Sequence, residues 1–382
     1  MKILVINNLW QRGGAEVVVQ NLVAELKREH QISVVTGGYQ NEVIEAEGIK
    51  HYYLRAGNIF NFLDINRQPY GLRLIWHLVD LFNMVNYFKL KKIVLAEQPE
   101  LVLTHSLMGL AFLGPRLLAK LKIKNIQTIH DLQLLHPGGL QQVGQEKVLN
   151  SLMAKLYQLV TKKLMGSPAK VIFPSQWIKD LFEQKKFFPQ SIKLVLPNPV
   201  SAELLAVKTK REAKTVSSLE LFYAGQIEAH KGILWLVEVL KDLSLDFSLK
   251  IAGQGTKVLA LQKIIAQDPR FIYLGLQNQS QIFQAYQQAD FTIVPSLVYE
   301  SYSLATAESL ILGTPVIGVN LGGIAELVLD TRNGFLYVPG SKLSFVGALE
   351  KAKIADWLAL SQQAQVSVKM VKIEDYVKQV LS

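Results

Sequence analysis

Two glutamates in one polar segment have the types and spacing to bind a hydroxyl-rich or anionic molecule. Glu300 stands in the turn before a predicted helix, and Glu308 lies about two helical turns inside it. A turn carboxylate can accept hydrogen bonds from sugar hydroxyls, whereas the deeper one is suited to a ribose diol. Backbone N–H groups at the helix start can bind anionic oxygens, and the residues that carry them are Ser301, Tyr302 and Ser303.

Three further turns combine glycine with the end of a predicted strand. Gly13 and Gly14 separate the first strand from the first helix, where free N–H groups suit an anionic ligand. In a second turn Gln226 precedes Lys231, whose ammonium group can neutralise a phosphate. Gly253 marks a third turn that allows a ligand to lie against the backbone. Ordinary strand-to-helix turns use the same residues, so each turn alone is a weak signal.

His130 follows an apolar strand, at the position where a parallel sheet places its ligands. A single histidine is more often a polar residue near the surface, and His105, after the preceding strand, has the same two interpretations. No spacing of His, Asp and Glu in the sequence resembles a metal site, and no Asp-x-Asp pair stands where a divalent ion would bridge a diphosphate. We therefore expect a reaction without a metal ion.

These residues need elements that bring the ends of strands together. Short β-branched runs predict strands at residues 2–6, 31–36, 101–104, 126–129 and 171–174. A Pro-Asn-Pro break follows, and the pattern restarts with strands at residues 219–224, 248–252, 272–274, 291–294 and 316–319. Amphipathic helices separate the strands, so the sequence predicts an α/β fold with two doubly wound, Rossmann-like domains facing across a cleft.

Composition excludes several classes of protein. Of the 382 residues, 49% are hydrophobic and 19% are charged, which excludes wholesale disorder and fibrous architecture. Cysteine is absent, so disulfides, zinc–thiolate sites and thiol nucleophiles are excluded and a reducing cytoplasm is favoured. The apolar run at the N-terminus is too short for a signal peptide, and no segment is apolar enough to predict a transmembrane helix.

The net charge of +10 lies entirely in the N-terminal half. Residues 1–195 hold 24 Lys and Arg against 14 Asp and Glu, whereas residues 196–382 hold 17 of each sign. Residues 72–93 mix large apolar side chains with Arg73, Lys89, Lys91 and Lys92. This pattern favours contact with an anionic membrane surface, or else a buried helix with a solvated basic end. Nucleic acid is not an expected partner because no stacking motif accompanies the basic residues.

The order of these motifs along the chain resembles glycosyltransferase family 4. The resemblance spans nearly the whole chain and is most specific from residue 219 to 334, where the glutamate pair and a later Gly322-Gly323 turn occur. It implies a retaining, nucleotide-sugar-dependent enzyme with the GT-B fold. The implied divisions are an acceptor-side domain at 1–198, a linker at 199–218, a donor-binding domain at 219–365, and a C-terminal helix at 366–382 that packs back toward the first domain.

The same resemblance assigns roles to individual residues. It implies that Glu300 binds the donor sugar, that Glu308 binds the nucleotide ribose, and that Lys231 holds the diphosphate. His130 would lie near the anomeric carbon. The remaining donor-binding residues are Gly13, Gly14, Gln226, Gly253, Ser301, Tyr302 and Ser303. Where the family commonly has arginine, this chain has Gln226, which removes one of two expected phosphate cations.

The function expected from the resemblance is transfer of a hexose-type sugar to a glycan or lipid-linked glycan, in cell-surface polysaccharide or glycolipid synthesis. No cofactor is expected beyond the donor substrate, for which a UDP-sugar is favoured. The enzyme would be cytoplasmic, at the inner face of the cell membrane when its acceptor is lipid-linked. Two alternatives remain: a sugar-nucleotide epimerase with the same fold, and a weakly active sugar-nucleotide-binding subunit of a partner transferase.

Overall fold

The computed structural model describes residues 1–10, 13–207 and 218–382. They form two compact units, each built on a sheet of its own. The first unit contains Met1–Leu140, Glu146–Pro199 and Ile373–Ser382. The second unit contains Gln141–Gln145 and Val200–Lys372. In both units, helices pack on a largely parallel sheet, so the predicted pair of Rossmann-like domains is confirmed.

Eight strands of the described residues form the sheet of the first unit. They are β1 (Lys2–Ile6), β2 (Gln31–Gly38), β3 (Glu42–Ala46), β4 (Ile49–Arg55), β5 (Leu101–Thr104), β6 (Lys124–Thr128), β7 (Lys170–Phe173) and β8 (Ile192–Val195). Across the sheet their order is β3-β4-β2-β1-β5-β6-β7-β8, and only the edge pair β3–β4 is antiparallel among these described strands. The order reverses between β1 and β5.

Helices cover the first sheet. They are α1 (Gly14–Leu26), α2 (Tyr70–Leu81), α3 (Met84–Glu97), α4 (Gly114–Lys120), α5 (Leu152–Met165) and α6 (Gln176–Gln184), with 3₁₀ helices at Phe62–Arg67 and Glu146–Asn150. Several begin at a residue whose side chain accepts a hydrogen bond from the first turn: Asn83, Ser151 and Ser175. Because the helices cover the sheet, the central strands are buried throughout; from Ile3 to Ile6 no residue of β1 is more than 1% exposed.

The second unit has a parallel sheet of six described strands in the order β11-β10-β9-β12-β13-β14. The strands are β9 (Leu219–Ala224), β10 (Phe247–Ala252), β11 (Phe271–Gly275), β12 (Phe291–Val294), β13 (Val316–Val319) and β14 (Gly334–Tyr337). Its helices are α7 (Ala202–Ala206), α8 (Ile233–Lys241), α9 (Val258–Ile265), α10 (Gln279–Gln288), α11 (Leu304–Ile311), α12 (Gly322–Leu327), α13 (Lys342–Ile354) and α14 (Trp357–Ser367), with a 3₁₀ helix at Ala229–Lys231. The order reverses between β9 and β12.

The last helix, α15 (Ile373–Leu381), belongs to the first unit, where it packs on α1. Lys170 of β7 donates from Nζ to the carbonyl oxygens of Gln379 at 2.9 Å and Val380 at 3.1 Å. A cation at a helix C-terminus satisfies carbonyl groups that have no partner inside the helix and interacts favourably with the helix dipole. The ring of Tyr376 is fully buried and holds the same helix against the unit.

The structure differs from the sequence expectation mainly at the edges. The hairpin β3–β4 was missed because β3 is exposed at every position and lacks a buried face to give a pattern. Its turn is Glu47-Gly48, with φ of 53° and 76°, as a two-residue hairpin requires. Of the predicted linker at 199–218, residues 208–217 lie outside the described part, and residues 202–206 are helical. The segment predicted as one C-terminal helix, 366–382, holds the end of α14 and then α15.

Asp80 is buried in the first unit with one carboxylate oxygen unpaired. Its Oδ2 accepts a hydrogen bond from the N–H of Gly109 at 2.7 Å, while Oδ1 has no partner among the described residues. Burial raises the pKa of Asp80 from an ordinary 3.8 to about 7. The folded chain therefore binds this proton more tightly than the unfolded chain does. The stability that protonated Asp80 contributes is lost as pH rises from about 4 to about 7.

Asp80→Asn is expected to stabilise the protein at pH 8 by a few kcal/mol, on the order of several degrees in unfolding temperature, and by much less at pH 5. The amide keeps an acceptor for Gly109 but cannot ionise. Thermal unfolding at both pH values measures the difference, with the exposed Asp180→Asn as the matched control. An equal effect at pH 5 and pH 8 would show that ionisation of Asp80 does not limit stability.

Candidate active site

In the second unit, four loops begin where neighbouring parallel strands end. They follow β9, β10, β12 and β13, and they comprise residues 225–232, 253–257, 295–303 and 320–321. The loops after β9 and β12 flank the reversal of strand order. Open α/β sheets bind ligands outside the carboxyl ends of their strands at such a point. The geometry of this unit therefore favours a ligand at these loops.

Backbone hydrogen bonds join these loops to one another. The N–H of Ile227 donates to the carbonyl of Gln254 at 2.9 Å, which links the loops after β9 and β10. The N–H of Leu297 donates to the carbonyl of His230 at 2.9 Å, which links the loops after β12 and β9. Because these bonds use main-chain atoms, they fix the paths of the loops directly.

Glu228 adds a side-chain link that the sequence interpretation missed. Its carboxylate accepts hydrogen bonds from the N–H of Thr256 at 2.7 Å and from the Thr256 hydroxyl at 2.6 Å. An acidic residue inside a glycine turn is an ordinary surface feature, so the sequence carries no distinct signal for this contact. The loops after β9 and β10 are thus joined by both backbone and side chain.

Glycine is required at two positions where the loops come closest. Gly232 has φ of 74°, and a Cβ atom there would lie 1.8 Å from the carbonyl oxygen of Pro295. Gly253 has φ of 144°, and a Cβ atom there would lie 1.8 Å from the carbonyl oxygen of Gly225. Any side chain at either position would force the backbones apart.

Lys231 and Glu300 form an ion pair across these loops. The Nζ atom of Lys231 lies 2.9 Å from Oε1 of Glu300, although the residues are 69 apart in sequence. The side chains keep 27% and 15% of their surface exposed. The pair therefore offers one cation and one carboxylate at a single place that a ligand can reach.

The backbone around Glu300 is held on two sides. The carbonyl of Glu300 accepts a hydrogen bond from the N–H of Gly323 at 2.8 Å, in the first turn of α12. On the other side, the N–H of Tyr299 donates to the carbonyl of Gln141 at 2.9 Å. Residues 141–145 belong to the second unit and pair with the loop that carries Glu300. The Gly-Gly turn noted in the sequence thus positions this carboxylate.

The three residues after Glu300 lead into α11. Ser303 is its N-cap, and its buried hydroxyl accepts hydrogen bonds from the N–H and hydroxyl of Thr306. Ser301 and Tyr302 are half-buried, and burial raises the pKa of the Tyr302 hydroxyl. The hydroxyl of Ser303 is used within the helix, so its contribution to ligand binding is limited to its backbone.

Glu308 is half-buried on α11, in a helix rather than a loop. Among the described residues its carboxylate has no hydrogen-bond or ion-pair partner, and burial raises its pKa to about 7. A carboxyl group held without a protein partner is free to bond to hydroxyls of a ligand. The two glutamates therefore have different environments, as their positions in the sequence indicated.

Gln226 is exposed at the start of the loop after β9. Its carbonyl accepts a hydrogen bond from the hydroxyl of Tyr223 at 2.8 Å, and burial raises the pKa of that hydroxyl. The neighbouring Gly225 is also exposed, and a Cβ atom there would lie 3.0 Å from the same hydroxyl. The turn is therefore shaped by backbone contacts that do not depend on the side chain at position 226.

In the first unit, His130 lies beside His105, two residues beyond β6. Nδ1 of His105 and Nε2 of His130 are 3.0 Å apart, and the rings are nearly parallel at 20°. His105 is 2% exposed, whereas His130 is half-buried. Burial lowers the pKa of His130 to about 4 and moves that of His105 well below its ordinary value. Both rings are therefore neutral at pH 7.

Gln133 ties this region together and was not singled out in the sequence. Its backbone N–H and side-chain amide donate to the carboxylate of Asp131 at 2.8 and 2.9 Å. Its Oε1 accepts from the N–H groups of Leu107 at 3.2 Å and Met108 at 2.7 Å. Burial raises the pKa of Asp131 to about 6. The loops after β5 and β6 are thus joined beneath His130.

Gly13 and Gly14 lie at the start of α1. Gly13 is the N-cap in an extended conformation, and Gly14 is exposed as the first helical residue. The carboxylate of Glu16 bonds to the backbone of Gly13 and Glu16, which opposes the rise in its pKa caused by burial. Gln11 and Arg12 of the same turn lie outside the described residues.

The predicted site residues thus fall into two sets. Gln226, Lys231, Gly253, Glu300, Ser301, Tyr302, Ser303 and Glu308 follow the strands of the second unit, whereas Gly13, Gly14 and His130 belong to the first. Lys231 and Glu300 are in direct contact, and their roles remain predictions. Within the described part of the chain, no group of three or more His, Cys, Asp or Glu could hold a metal ion.

Two family models match the sequence. The model described as Glycosyltransferase Family 4 matches residues 12–204, half of the chain. The model described as Glycosyl transferases group 1 matches residues 218–354. The two matches follow the two structural units closely, so each unit is recognised separately.

Individual relatives agree with these matches. An uncharacterized 42.6 kDa protein in the cps region of Klebsiella pneumoniae is 28% identical over 86% of this chain and 87% of its own length. The lipopolysaccharide 1,2-N-acetylglucosaminetransferase of Salmonella typhimurium is 27% identical over 64% of this chain and 66% of its own. Among solved structures, HepE of Anabaena in complex with UDP-glucose has a TM-score of 0.69 at 18% identity, covering 100% of this chain and 98% of that chain. The structural likeness extends over both units.

Gly232→Ala is expected to destabilise the protein by about 1–3 kcal/mol, because the added carbon meets the Pro295 carbonyl and the φ angle disfavours alanine. Gly347→Ala is the matched control: Gly347 lies within α13 with no atom near its Cβ position, and alanine should be neutral or stabilise by up to about 1 kcal/mol. Urea unfolding measures both. Equal stability of the two variants would mean that the loops can separate without cost.

Proposed function

Because the chain belongs to glycosyltransferase family 4, we propose that it transfers a hexose-type sugar from a nucleotide diphosphate donor to a glycan or lipid-linked glycan, with retention of anomeric configuration. The observation that carries the donor part is the Lys231–Glu300 pair at the reversal of strand order in the second sheet. A sugar joined to a diphosphate requires both a cation and a hydroxyl acceptor at one place, and this pair supplies them.

The donor is held by the loops of the second unit in this proposal. Lys231 and the N-terminus of α11 neutralise the diphosphate, and Glu300 accepts hydrogen bonds from the sugar hydroxyls. Glu308 bonds to the ribose, for which its unpaired carboxyl group is suited. A UDP-sugar is the favoured donor, in keeping with the UDP-glucose bound by HepE, which has the same fold.

The transfer step breaks the bond between the anomeric carbon and the phosphate oxygen and forms one to the acceptor oxygen. The acceptor approaches on the face that the diphosphate leaves, and its hydroxyl proton passes to the departing phosphate. Negative charge that develops on the bridging oxygen is stabilised by Lys231 and the backbone N–H groups after Glu300, in place of a metal ion. No side chain is assigned as nucleophile, and the roles of His130, Gly13 and Gly14 in binding the donor remain predictions.

The acceptor is proposed to be a cell-surface glycan or its lipid-linked precursor. Two relatives support this class: one acts on lipopolysaccharide, and the other is a protein of a cps region. Among the described residues, every helix is too short or too polar to cross a bilayer. A lipid-linked acceptor would place the reaction at a membrane surface.

The first unit carries a surface suited to that contact. Residues 72–93 form two helices, α2 and α3, rather than one, with Trp76 and Leu81 buried as core residues. Leu90 and Ile93 are buried as well. Six other large apolar side chains of this segment face solvent and are between 42% and 63% exposed: Leu72, Leu74, Ile75, Leu78, Phe82 and Phe88. Such an extended apolar face on one side of a domain indicates an interaction site.

Helix α5 has a similar face that the sequence interpretation did not identify. It contains no acidic residue, and its exposed apolar residues reach 73% and 76% exposure at Leu152 and Met153. Lysines lie on or beside the helix: Lys155, Lys162, Lys163, Lys185 and Lys186. Burial, and then repulsion by Lys155 and Lys162, lowers the pKa of Lys185. Apolar residues among clustered cations match an anionic bilayer, which we propose as the partner at the cytoplasmic face.

Glu300→Gln is expected to reduce turnover by about 10- to 100-fold, because a neutral amide replaces a charge-assisted acceptor worth about 1.5–3 kcal/mol. Affinity for the free nucleoside diphosphate should hardly change. Release of nucleoside diphosphate in the presence of acceptor measures turnover, with and without EDTA, and calorimetry measures binding. The control is Glu238→Gln, at an exposed position on α8.

Four results of this assay would contradict the proposal in different ways. Full turnover by Glu300→Gln would remove Glu300 from the donor site. Recovery of an epimerised donor without transfer would identify a sugar-nucleotide epimerase. Donor binding with no turnover by the native chain, across a panel of glycan acceptors, would identify a binding subunit; loss of activity in EDTA would show that a metal ion takes part.

The native protein is expected to sediment with vesicles that contain phosphatidylglycerol at low salt and to be released at high salt, because each exposed cation near an anionic surface contributes about 1 kcal/mol. Leu78→Glu and Leu156→Glu should each weaken binding about ten-fold by placing a charge in the apolar face. Leu343→Glu is the matched control, since Leu343 is 86% exposed on α13 in the second unit. Equal recovery with neutral vesicles, or none at either salt, would rule out this surface as a membrane contact.

A further inference from the structure

The backbone of His105 is fixed where β5 ends. Its N–H donates to the carbonyl of Ile6 at 2.9 Å, and its carbonyl accepts from Nε2 of Gln127 at 2.7 Å. The ring lies beneath that of His130, with Nδ1 at 3.0 Å from Nε2 of His130. His105 is thus held on a rigid sheet and contacts His130 through one defined pair of atoms.

A hydrogen bond between two ring nitrogens 3.0 Å apart has one proton between them, and both rings are neutral at pH 7. In the first arrangement His105 donates from Nδ1, and its Nε2 atom then carries a lone pair and no proton. In the second arrangement His130 donates from Nε2, and the proton of His105 is then on its own Nε2 atom. That Nε2 atom is buried and has no partner among the described residues. The cavity that His105 lines has about 10 Å³ of space for the centre of a water molecule. This is about the smallest volume that can hold one water.

The two arrangements differ in cost. Buried N–H groups without a partner are rarer in proteins than acceptors without one, so the arrangement with a bare lone pair at Nε2 of His105 is favoured. His130 then accepts at Nε2 and must carry its own proton at Nδ1, because a neutral imidazole has one donor and one acceptor nitrogen.

We propose that His105 is a positioning residue that holds His130 in the tautomer protonated at Nδ1. His130 then acts in transfer as a hydrogen-bond donor to an oxygen of the substrate and does not accept the proton of the attacking hydroxyl. The catalytic part of this statement rests on the proposed transferase function. The tautomer itself is a property of the free protein and can be measured without substrate.

Long-range ¹H–¹⁵N correlation spectra of protein labelled with ¹⁵N-histidine identify the protonated ring nitrogen. The chain has 7 histidines, and the His130→Gln variant assigns the signals of His130. At pH 7 the native protein should show Nδ1 of His130 protonated. In His105→Phe, which keeps an aromatic ring but has no donor, His130 should change to the other tautomer or to a mixture.

His105→Asn provides the rescue, because its side-chain amide places an N–H close to the position of Nδ1 and should restore the native pattern. The control His30→Phe, four residues beyond α1, should leave the His130 signals unchanged. Protonation of His130 at Nε2 in the native protein would overturn the proposal. If His105→Phe does not fold, the native spectrum still decides the question.

Transfer kinetics form the second arm. His105→Phe should lower kcat about three- to ten-fold, the effect of one weakened hydrogen bond, with little change in KM for the donor, and His105→Asn should recover most of the loss. Unchanged kcat together with a changed tautomer would show that the tautomer does not matter for transfer. Absence of transfer in the native protein would contradict the proposed function while leaving the spectroscopic result intact.

Discussion

The second unit depends on direct contact between the backbones of loops that follow neighbouring parallel strands. Strands in a sheet are about 4.8 Å apart, so loops beyond β9, β10 and β12 can bond to one another only where no side chain intervenes. Glycines at 232 and 253 meet this requirement, since a Cβ atom at either would overlap a carbonyl oxygen. Once the loops are joined, Lys231 and Glu300 are brought together by their main chains, and the pair needs no separate framework of side chains.

The charge of the proposed donor site follows from the same arrangement. The charges of Lys231 and Glu300 cancel each other until a substrate binds to one or both side chains. The pair therefore does not impose a lasting positive field on the site. Since Gln226 supplies no charge, a diphosphate would depend on Lys231 and on backbone N–H groups. Backbone dipoles are fixed in direction and require no reorganisation when charge develops. This favours stabilisation of the leaving group over tight binding of the free nucleotide.

The sequence predicted the elements that repeat a simple pattern. Buried strands such as β1, β9, β12 and β13 were placed with their exact ends because their largely apolar runs stop at asparagine, glycine or proline. The edge hairpin β3–β4 was missed because an exposed strand has no buried face. The Lys231–Glu300 contact could be expected only from the order of strands, which local patterns do not determine. Gln133 and Glu228 act through contacts with distant loops, and nothing in their sequence neighbourhoods distinguishes them.

The interior of the first unit differs from the second unit's loops in one physical respect: burial suppresses its charges. Histidines 105 and 130 are neutral at pH 7, and Asp80 and Asp131 bind protons more tightly than usual. The polar network beneath His130 therefore orients groups through neutral hydrogen bonds. Most of the described basic residues in the N-terminal half are at least partly exposed, including three lysines on each of α3 and α5. A surface charge of this kind acts on partners outside the protein. In the interior, desolvation determines which groups are charged.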